Sequence, residues 1–291
     1  MLRDYLKLHF VVFLWGTTAV MAKLITIPAT EMLFHRTWMA AAGLFVLALI
    51  SGTVLKYTWK DLLSMLGIGL IVGLHWVAFF VGGQISTASL SLVGFATCSL
   101  WAALLEPLVN RQPVRALEVF LGLVVMAGLY IIFRSEFHFM TGFLLSILSG
   151  LLAAVFGIMN SKLVKRISSV AIAFYEMVGA FVFVVLMLPL YQAYYAEGGE
   201  LQMIPAPTDW IYLLILSLLC SVFAFTMSVD LMKRLSVFTV QLTLNLEPVY
   251  GIILAVILLG EGSVMGTSFY VGTSLILVAV LLYPWLKKRL T

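Results

Sequence analysis

The sequence predicts an all-α membrane protein in which ten transmembrane helices form two inverted repeats of five, with both termini in the cytoplasm. Three observations support this fold class. The 291 residues are 63% hydrophobic and only 10% charged, whereas a soluble domain carries about 25% charged residues. Ten apolar segments can be counted along the chain. The basic residues cluster in alternate gaps between those segments, as the positive-inside rule describes.

The apolar segments are close to the length of roughly 20 residues that an α-helix needs to cross a bilayer. The predicted spans are 8–25, 32–51, 61–83, 86–106, 115–133, 139–160, 169–191, 210–230, 235–258 and 266–286. Residues 1–25 have a basic start and an apolar core but no small-residue cleavage site, so we expect a first spanning helix there. The long connection 192–209 is acidic and rich in Gly and Pro, and we expect a solvated loop on the outer side.

The distribution of Lys and Arg predicts the topology. Fourteen of the 17 basic residues fall on one side of the predicted spans. They are Arg3, Lys7, Lys56, Lys60, Arg111, Arg115, Lys162, Lys165, Arg166, Lys233, Arg234, Lys287, Lys288 and Arg289. Lys23 and Arg134 fall on the other side, and Arg36 lies inside an apolar segment. Because the basic residues are spread along one membrane face, we interpret them as topology determinants and expect no nucleic-acid partner.

The two halves of the chain resemble each other weakly. In the later part of each half, an offset of 150 aligns Gly122 with Gly272, and earlier an offset of 140 aligns Arg36 with Glu176. Five spans per unit would insert the second unit upside down, and inverted repeats place a substrate site between the units near the midplane. The predicted boundaries are 1–136 for the first unit and 137–291 for the second.

Several short motifs occur at defined places in the predicted spans. They are Leu14, Trp15 and Gly16 in the first span, Phe34, His35 and Arg36 in the second, Leu246, Glu247, Pro248 and Val249 in the ninth, and then Leu259, Gly260, Glu261 and Gly272. With these motifs the chain resembles the drug/metabolite transporter superfamily, in its ten-helix EamA-type branch, over nearly its whole length. The resemblance implies alternating-access transport of small organic solutes, often efflux of amino acids or other metabolites, without naming the solute.

The first half departs from the signature in the second half. At the offset of 150, Thr97 stands opposite Glu247, and Arg111 stands opposite Glu261. An offset of 141 would instead match Glu106 with Glu247. We favour 150 because 141 separates the aligned glycines, and both alignments stay open at this point.

Two ionisable residues inside predicted spans are candidate substrate contacts, since charges in a membrane are costly and mark functional sites by default. Arg36 is predicted to bind a carboxylate or phosphate, because a guanidinium contacts either group bidentately. An internal counter-charge, or an arginine that reaches the outer interface, is the alternative. Glu176 is predicted to pair with Arg36, to bind a substrate amine or to take up a proton. An interior salt bridge without a transport role is its alternative.

Four further residues are predicted to contact the substrate. Trp101 is a candidate aromatic wall, and His75 is a candidate hydrogen-bond donor or proton shuttle. Asn160 and Asn245 are candidate polar contacts in a cavity between the units. For each of the four, packing or an interhelical hydrogen bond without contact to a substrate is the alternative.

Three residues are predicted to act in coupling or gating. Pro248 lies in the middle of the ninth span, where a proline removes a helix hydrogen bond and favours a hinge. Glu247 precedes it. Glu106 is predicted to end the fourth helix near the cytoplasm and to belong to an inner gate. A proton is the candidate coupling ion, through Glu176, Glu247 or a histidine.

The function predicted from these observations is secondary transport, with export of amino acids or related solutes across the bacterial inner membrane. A membrane scaffold or sensor without transport activity, and an importer of a different metabolite class, are the alternatives. The sequence contains no Walker phosphate loop, HExxH, CxxC or GxSxG motif, so we expect no enzyme activity, metal or cofactor. The expected partners are a small solute and the lipid bilayer, and the expected state is a monomer or weak dimer.

Overall fold

The computed structural model describes residues 2–86, 88–133, 140–259 and 267–290. Gly260 and Glu261 of the signature, and Arg134, lie outside these residues. The helices are α1 (Leu2–Leu24), α2 (Ala29–Ile50), α3 (Trp59–Gln84), α4 (Ala88–Phe95), α5 (Cys98–Asn110), α6 (Ala116–Phe133), α7 (Met140–Leu163), α8 (Ser169–Tyr194), α9 (Asp209–Leu214), α10 (Phe225–Leu231), α11 (Val237–Leu244), α12 (Glu247–Leu259) and α13 (Thr267–Leu290). A π-helical segment, Ile215–Ala224, joins α9 to α10, and a short 3-10 turn spans Glu197–Gly199.

Within the described residues, six helical stretches are long and apolar enough to cross a membrane. They are Ala29–Ile50, Trp59–Gly83, Met140–Leu163, Ser169–Tyr194, Asp209–Leu231 and Tyr270–Lys288. Ala116–Ile131 is a shorter apolar helix. The described helices overlap all ten predicted spans, which agrees with an all-helical membrane protein, and ten crossings stays a prediction.

Two predicted spans are not single helices. The fourth consists of α4 and α5, separated at 96–97, and the ninth consists of α11 and α12, separated at 245–246. Pro248 is the second residue of α12. A proline in the first turn removes no intrahelical hydrogen bond, so Pro248 accompanies the start of a helix. The prediction of one continuous ninth helix with a kink at this proline is therefore corrected to two helices with a break before it.

The predicted end of the fourth span is also corrected. Helix α5 continues to Asn110, so Glu106 lies within the helix. Arg111 ends α5 in the left-handed conformation, with a φ of 54°. The Gln112 amide then donates a 2.8 Å hydrogen bond to the Pro107 carbonyl, which satisfies one of the carbonyls left free at a helix C-terminus.

The two halves of the chain pack in a matching way. The helix that follows the first break begins at Cys98, and the helix that follows the second break begins at Glu247. These two starts are 149 residues apart, which is close to the offset of 150 and far from 141. Helix α7 packs on α4 and α5, the two helices beside the first break. Helix α1 packs in the same way on α11 and α12, the two helices beside the second break. Helices α2 and α8 pack on each other, as do α6 and α13. These contacts fit two similar five-helix units that interleave, whereas the boundaries 1–136 and 137–291 stay a prediction.

Small residues bring helices of the two halves into close contact. A Cβ atom on Gly69 of α3 would lie 2.8 Å from the Cα atom of Gly179 on α8. A Cβ atom on Gly94 of α4 would lie 2.9 Å from the Ile147 backbone nitrogen on α7. Real Cβ atoms essentially never approach other atoms this closely, so a side chain at either glycine would push the helices apart. In membrane bundles, helices associate through close contacts of this kind between small residues rather than through large apolar side chains.

The connection 192–209 is held to α2, and the prediction of a merely solvated loop is corrected. His35 Nε2 lies 2.9 Å from the Met203 carbonyl oxygen, to which it can bond only as a donor. The Gln202 amide donates a 3.2 Å hydrogen bond to Glu31 Oε1. Both His35 and Glu31 are buried, so part of this connection covers the first two turns of α2.

Asp209 fixes the other end of this connection. Its side chain is fully buried, and its Oδ2 atom accepts hydrogen bonds from the Thr26 amide at 3.1 Å and the Thr26 hydroxyl at 2.6 Å. The Ala206 amide donates a third, at 3.2 Å. Asp209 is also the first residue of α9, where a carboxylate interacts favourably with the helix dipole.

Candidate functional site

A cavity lies between the two halves of the chain. Its walls come from α1 to α4 in the first half and from α7, α10, α11 and α12 in the second. Its polar or charged lining residues are Thr18, Arg36, His75, Asn160, Ser228, Gln241 and Glu247. Aromatic side chains make up most of the remaining wall. They are Trp15, Trp76, Phe79, Phe80, Phe95, Phe156 and Phe225.

Arg36 is the cation of this cavity. It lies on α2 with 4% of its surface exposed, and its Nε atom donates a 2.8 Å hydrogen bond to Ser221 Oγ. The guanidinium carbon lies 4.4 Å from the ring centroid of Trp76, a cation–π distance. Because a guanidinium has five N–H donors, these contacts leave most of its donors without a protein acceptor among the described residues.

Glu247 supplies a carboxyl group to the same cavity. It is the first residue of α12, directly after the helix break that turns the chain. In the described ranges, its carboxylate forms no hydrogen bond and no ion pair within 4 Å, so it does not compensate Arg36 by direct contact. A guanidinium and a carboxyl group therefore line one cavity, and each remains available to a ligand.

His75 lines the cavity, and its imidazole ring is hydrogen-bonded to Ser149 on α7. Its Nδ1 atom lies 2.9 Å from the Ser149 carbonyl oxygen and 2.8 Å from the Ser149 hydroxyl oxygen. When Nδ1 carries the hydrogen, both oxygens can accept from it. The rings of Phe95 and Phe156 flank it at centroid distances of 5.6 and 5.4 Å. In a neutral ring this arrangement leaves Nε2 as an acceptor.

Asn160 and Gln241 are amide side chains in the lining with partly satisfied polar groups. The Gln241 Nε2 atom donates to the Ala153 carbonyl at 2.9 Å, and Asn160 Nδ2 donates to Glu176 Oε2 at 3.1 Å. The Oε1 atom of Gln241 and the Oδ1 atom of Asn160 are buried without a hydrogen-bond partner. Each amide thus has one polar atom unused by the protein.

Glu176 lies behind the cavity wall. It is fully buried on α8, contacts Asn160, and is absent from the lining residues. Arg36 bonds to Ser221 instead, so the predicted ion pair between Arg36 and Glu176 is not formed. The repeat alignment matched equivalent positions, which need not be neighbours in space. A direct role of Glu176 in substrate contact stays a prediction.

Trp101 and Asn245 also lie away from the cavity lining. Asn245 Nδ2 donates a 3.0 Å hydrogen bond to Ser99 Oγ, which ties the break before α12 to α5. Trp101 on α5 is half-buried, and its Nε1 atom has no hydrogen-bond partner. Substrate contact by either residue is untested, and their observed contacts are structural.

Glu106 binds the start of α11. Its Oε1 atom accepts from the Val237 amide at 3.1 Å and its Oε2 atom from the Phe238 amide at 2.9 Å. These amides lie in the first turn of α11, where backbone donors have no intrahelical acceptor. Glu106 therefore caps a helix of the other half from α5, a geometry that suits a closed gate as well as a static support.

Ion pairs join separate segments on the side of the chain that carries most of the basic residues. Arg234 Nε lies 2.9 Å from Asp4 Oδ1, which links α1 to the turn after α10. Burial acts to raise the pKa of Asp4, but the hydrogen bonds and positive charges of Arg234 and the N-terminal amine together outweigh it, so the pKa is lowered. Arg166 pairs with Asp61 at 2.5 Å, which links the turn after α7 to the start of α3.

Several lining residues were not predicted. Trp15 belongs to a motif noted in the first span, and Trp76 adjoins His75, so both had a signal in the sequence. Gln241 lies one turn before Asn245, on the same predicted face. Ser221, which contacts Arg36 but is not a lining residue, had no signal, because this contact depends on the π-helical segment that carries it.

The chain matches the EamA-like transporter family over residues 5–134 and again over 140–285. A comparison with curated protein sequences finds no significant match. A solved crystal structure shares 17% sequence identity with the chain, covers 97% of both chains and superposes with a TM-score of 0.79. That likeness establishes the fold alone. The two family matches together cover nearly the whole sequence, and the chain therefore belongs to the EamA-like transporter family.

Proposed function

We propose that this protein is a secondary transporter that exports amino acids or related zwitterionic metabolites by alternating access. The observation that carries the proposal is the presence of Arg36 and Glu247 in one cavity without a direct contact between them. A guanidinium binds a carboxylate in a bidentate manner, and a carboxylate binds an ammonium group. A zwitterionic solute supplies both partners and cancels both buried charges.

The aromatic wall supports a solute with an apolar part. Phe79 and Phe80 on α3, Phe156 on α7 and Phe225 on α10 line the cavity beside the two charges. Ligand sites are mostly apolar, with a few polar groups that fix the orientation of the ligand. A side chain of the solute would bury its apolar surface here while its charged groups contact Arg36 and Glu247.

The location of the cavity supports alternating access. Both halves of the chain supply its walls, and a site between two repeats becomes accessible from either side when one repeat rocks against the other. The direction, export, is supported by the family resemblance. Import of a different metabolite class is the competing proposal.

The membrane arrangement is part of the same proposal. It has ten crossings, both termini in the cytoplasm, residence in the bacterial inner membrane, and a monomer or weak dimer as the working unit. The 14 basic residues on one predicted side support the orientation. A proton is the proposed coupling ion.

Solute flux in liposomes that contain only the purified full-length chain tests the proposal. We expect exchange of at least one radiolabelled amino acid from a broad panel, and competition by other zwitterions of similar size. Arg36→Gln and Glu247→Gln should each lower this exchange at least tenfold, because each loses a charge-assisted contact of about 1.5–3 kcal/mol.

Matched controls remove charges outside the cavity. Arg166→Gln removes a cation paired with Asp61, and Glu118→Gln removes a buried carboxylate bound by the Tyr283 hydroxyl. Both should retain exchange. No flux of any metabolite in the panel, with a folded protein, would support the scaffold or sensor alternative. Uptake into right-side-out vesicles without efflux would support import.

A further inference from the structure

The carboxyl group of Glu176 is buried with only part of its hydrogen-bonding capacity used. Asn160 Nδ2 donates to Oε2 at 3.1 Å. The other carboxyl oxygen, Oε1, is inaccessible and has no partner among the described residues, and the same is true of Asn160 Oδ1. Buried polar atoms are nearly always hydrogen-bonded, so two unpartnered oxygens on one contacting pair of side chains require an explanation.

Neighbouring charged residues do not explain the two unpartnered oxygens. Helix α8 packs against α2, α3 and α10, and Asn160 itself lies on α7. Most charged or titratable residues on these elements have polar partners other than Glu176. They are Glu31, His35 and Arg36 on α2, Asp61 and His75 on α3, the exposed Lys162 on α7, and Asp230 on α10. Lys60 on α3 is exposed. The 3-10 turn contacts α8 beyond its C-terminal end, whereas Glu176 lies near the N-terminal end of that helix. Within the described residues, no cation forms an ion pair with Glu176.

A single proton satisfies both unpartnered atoms. A carboxylate at this position would be an isolated buried charge, which costs several kcal/mol. With a proton on Oε1, the carboxyl group is neutral and Oε1 becomes a donor. The unused carbonyl oxygen of the Asn160 amide, on the side chain already in contact, is the acceptor that we expect for it, while Nδ2 continues to donate to Oε2. An acid and an amide in this state form two hydrogen bonds with each other.

We propose that Glu176 and Asn160 form a proton-binding site that takes part in the transport cycle. The proposal rests on the proposed transport function and deepens it by naming the site of the coupling ion. The step is balanced: water on one side of the membrane delivers a proton to the Glu176 carboxylate, and the carboxylic acid later releases it to water on the other side.

The position of Asn160 links this site to the cavity. Asn160 lines the cavity, whereas Glu176 lies directly behind it. Loss of the proton leaves a carboxylate that must gain water or another partner, so the contact between Asn160 and Glu176 has to rearrange. Proton occupancy therefore favours one conformation over another, which is the requirement for coupling.

Infrared spectroscopy of the purified full-length protein tests the site without reference to transport. We expect a carbonyl-stretch band of a protonated carboxyl group in the wild type, absent in Glu176→Gln and displaced in Asn160→Leu. Glu31→Gln is the matched control, because Glu31 is also buried with one unpartnered oxygen but is bound to the outer connection. The band must persist in that variant. Identical wild-type and Glu176→Gln spectra at every pH would overturn the proposal.

Transport in liposomes with an imposed pH gradient tests the coupling. We expect gradient-driven accumulation of the solute in the wild type, and solute exchange without accumulation in Glu176→Gln. The amide in that variant can still hydrogen-bond to Asn160, so the fold should persist, and exchange confirms it. If wild type shows no flux at all, the proposed function fails, while the infrared result still decides the proton site. If Glu176→Gln accumulates solute as the wild type does, the coupling proposal is wrong.

Discussion

Arg36 and Ser221 are joined by a hydrogen bond of 2.8 Å from the guanidinium Nε to the serine hydroxyl. The Ser221 hydroxyl in turn donates to the Leu216 carbonyl, five residues earlier, at 3.1 Å. That spacing belongs to the π-helical segment Ile215–Ala224. Such segments occur frequently at functional sites, and here the segment places an acceptor behind the cation. The remaining guanidinium donors are thereby oriented toward the cavity.

Ser221→Ala should weaken solute binding because it removes the acceptor that orients Arg36. A hydrogen bond to a charged group contributes about 1.5–3 kcal/mol, so we expect KM to rise about tenfold or more with a smaller effect on the maximal rate. The measurement is the concentration dependence of solute exchange in liposomes. Ser217→Ala is the control, because the Ser217 hydroxyl lies in the same segment and has no partner. Equal KM values for Ser221→Ala and wild type would contradict this role.

Glu247→Gln should change which solutes bind. The wild type should prefer an amino acid over the same compound without its amino group, because only the former supplies an ammonium to Glu247. In Glu247→Gln that preference should fall by tenfold or more, since a charge-assisted contact of about 1.5–3 kcal/mol is lost. Competition against a labelled amino acid measures the preference, and Glu118→Gln serves as a control. An unchanged preference in Glu247→Gln would remove Glu247 from the recognition of the amine.

The positions of the helices were predictable because a bilayer requires long apolar segments, and composition alone reveals them. The breaks within them were less visible. Only the second break has a proline beside it, Pro248, whereas the break between α4 and α5 depends on packing. There, a Cβ atom on Gly150 of α7 would lie 2.6 Å from Thr97 Oγ1, so the turn fits only against a glycine.

The contents of the cavity were only partly predictable, because helical periodicity gives the face of a helix but not its neighbour. Arg36 and His75 were identified from their charge and depth. The sequence predicts Trp101 as an aromatic wall, yet Trp76 is the tryptophan that lies beneath the Arg36 guanidinium. On an ideal continuous helix, Glu247 would not share the face of Gln241 and Asn245, which are four residues apart. The break at 245–246 ends that helix and brings Glu247 to the cavity.

Glu106→Ala should destabilise the protein because it leaves two amides of α11 without acceptors. Loss of a helix cap costs about 0.5–2 kcal/mol, and the Val237 and Phe238 amides both depend on this carboxylate. We expect a lower midpoint of thermal unfolding in detergent. Glu200→Ala, on the exposed outer connection, should leave the midpoint unchanged. A variant as stable as the wild type would show that water replaces the carboxylate and that Glu106 does not support the contact between α5 and α11.

Cysteine labelling should test the predicted orientation, because Cys98 and Cys220 are both buried and give a low background. Glu200→Cys and Gln112→Cys each introduce a thiol at an exposed position, in connections predicted to lie on opposite sides of the membrane. In intact cells, a membrane-impermeant maleimide should label Glu200→Cys and should label Gln112→Cys only after the membrane is permeabilised. The unsubstituted chain is the control for background labelling. The charge bias that orients such proteins resides in the short basic connections. The reverse labelling pattern would therefore show that the chain has the opposite orientation to the proposed one. Labelling of both thiols in intact cells would contradict an odd number of crossings between them.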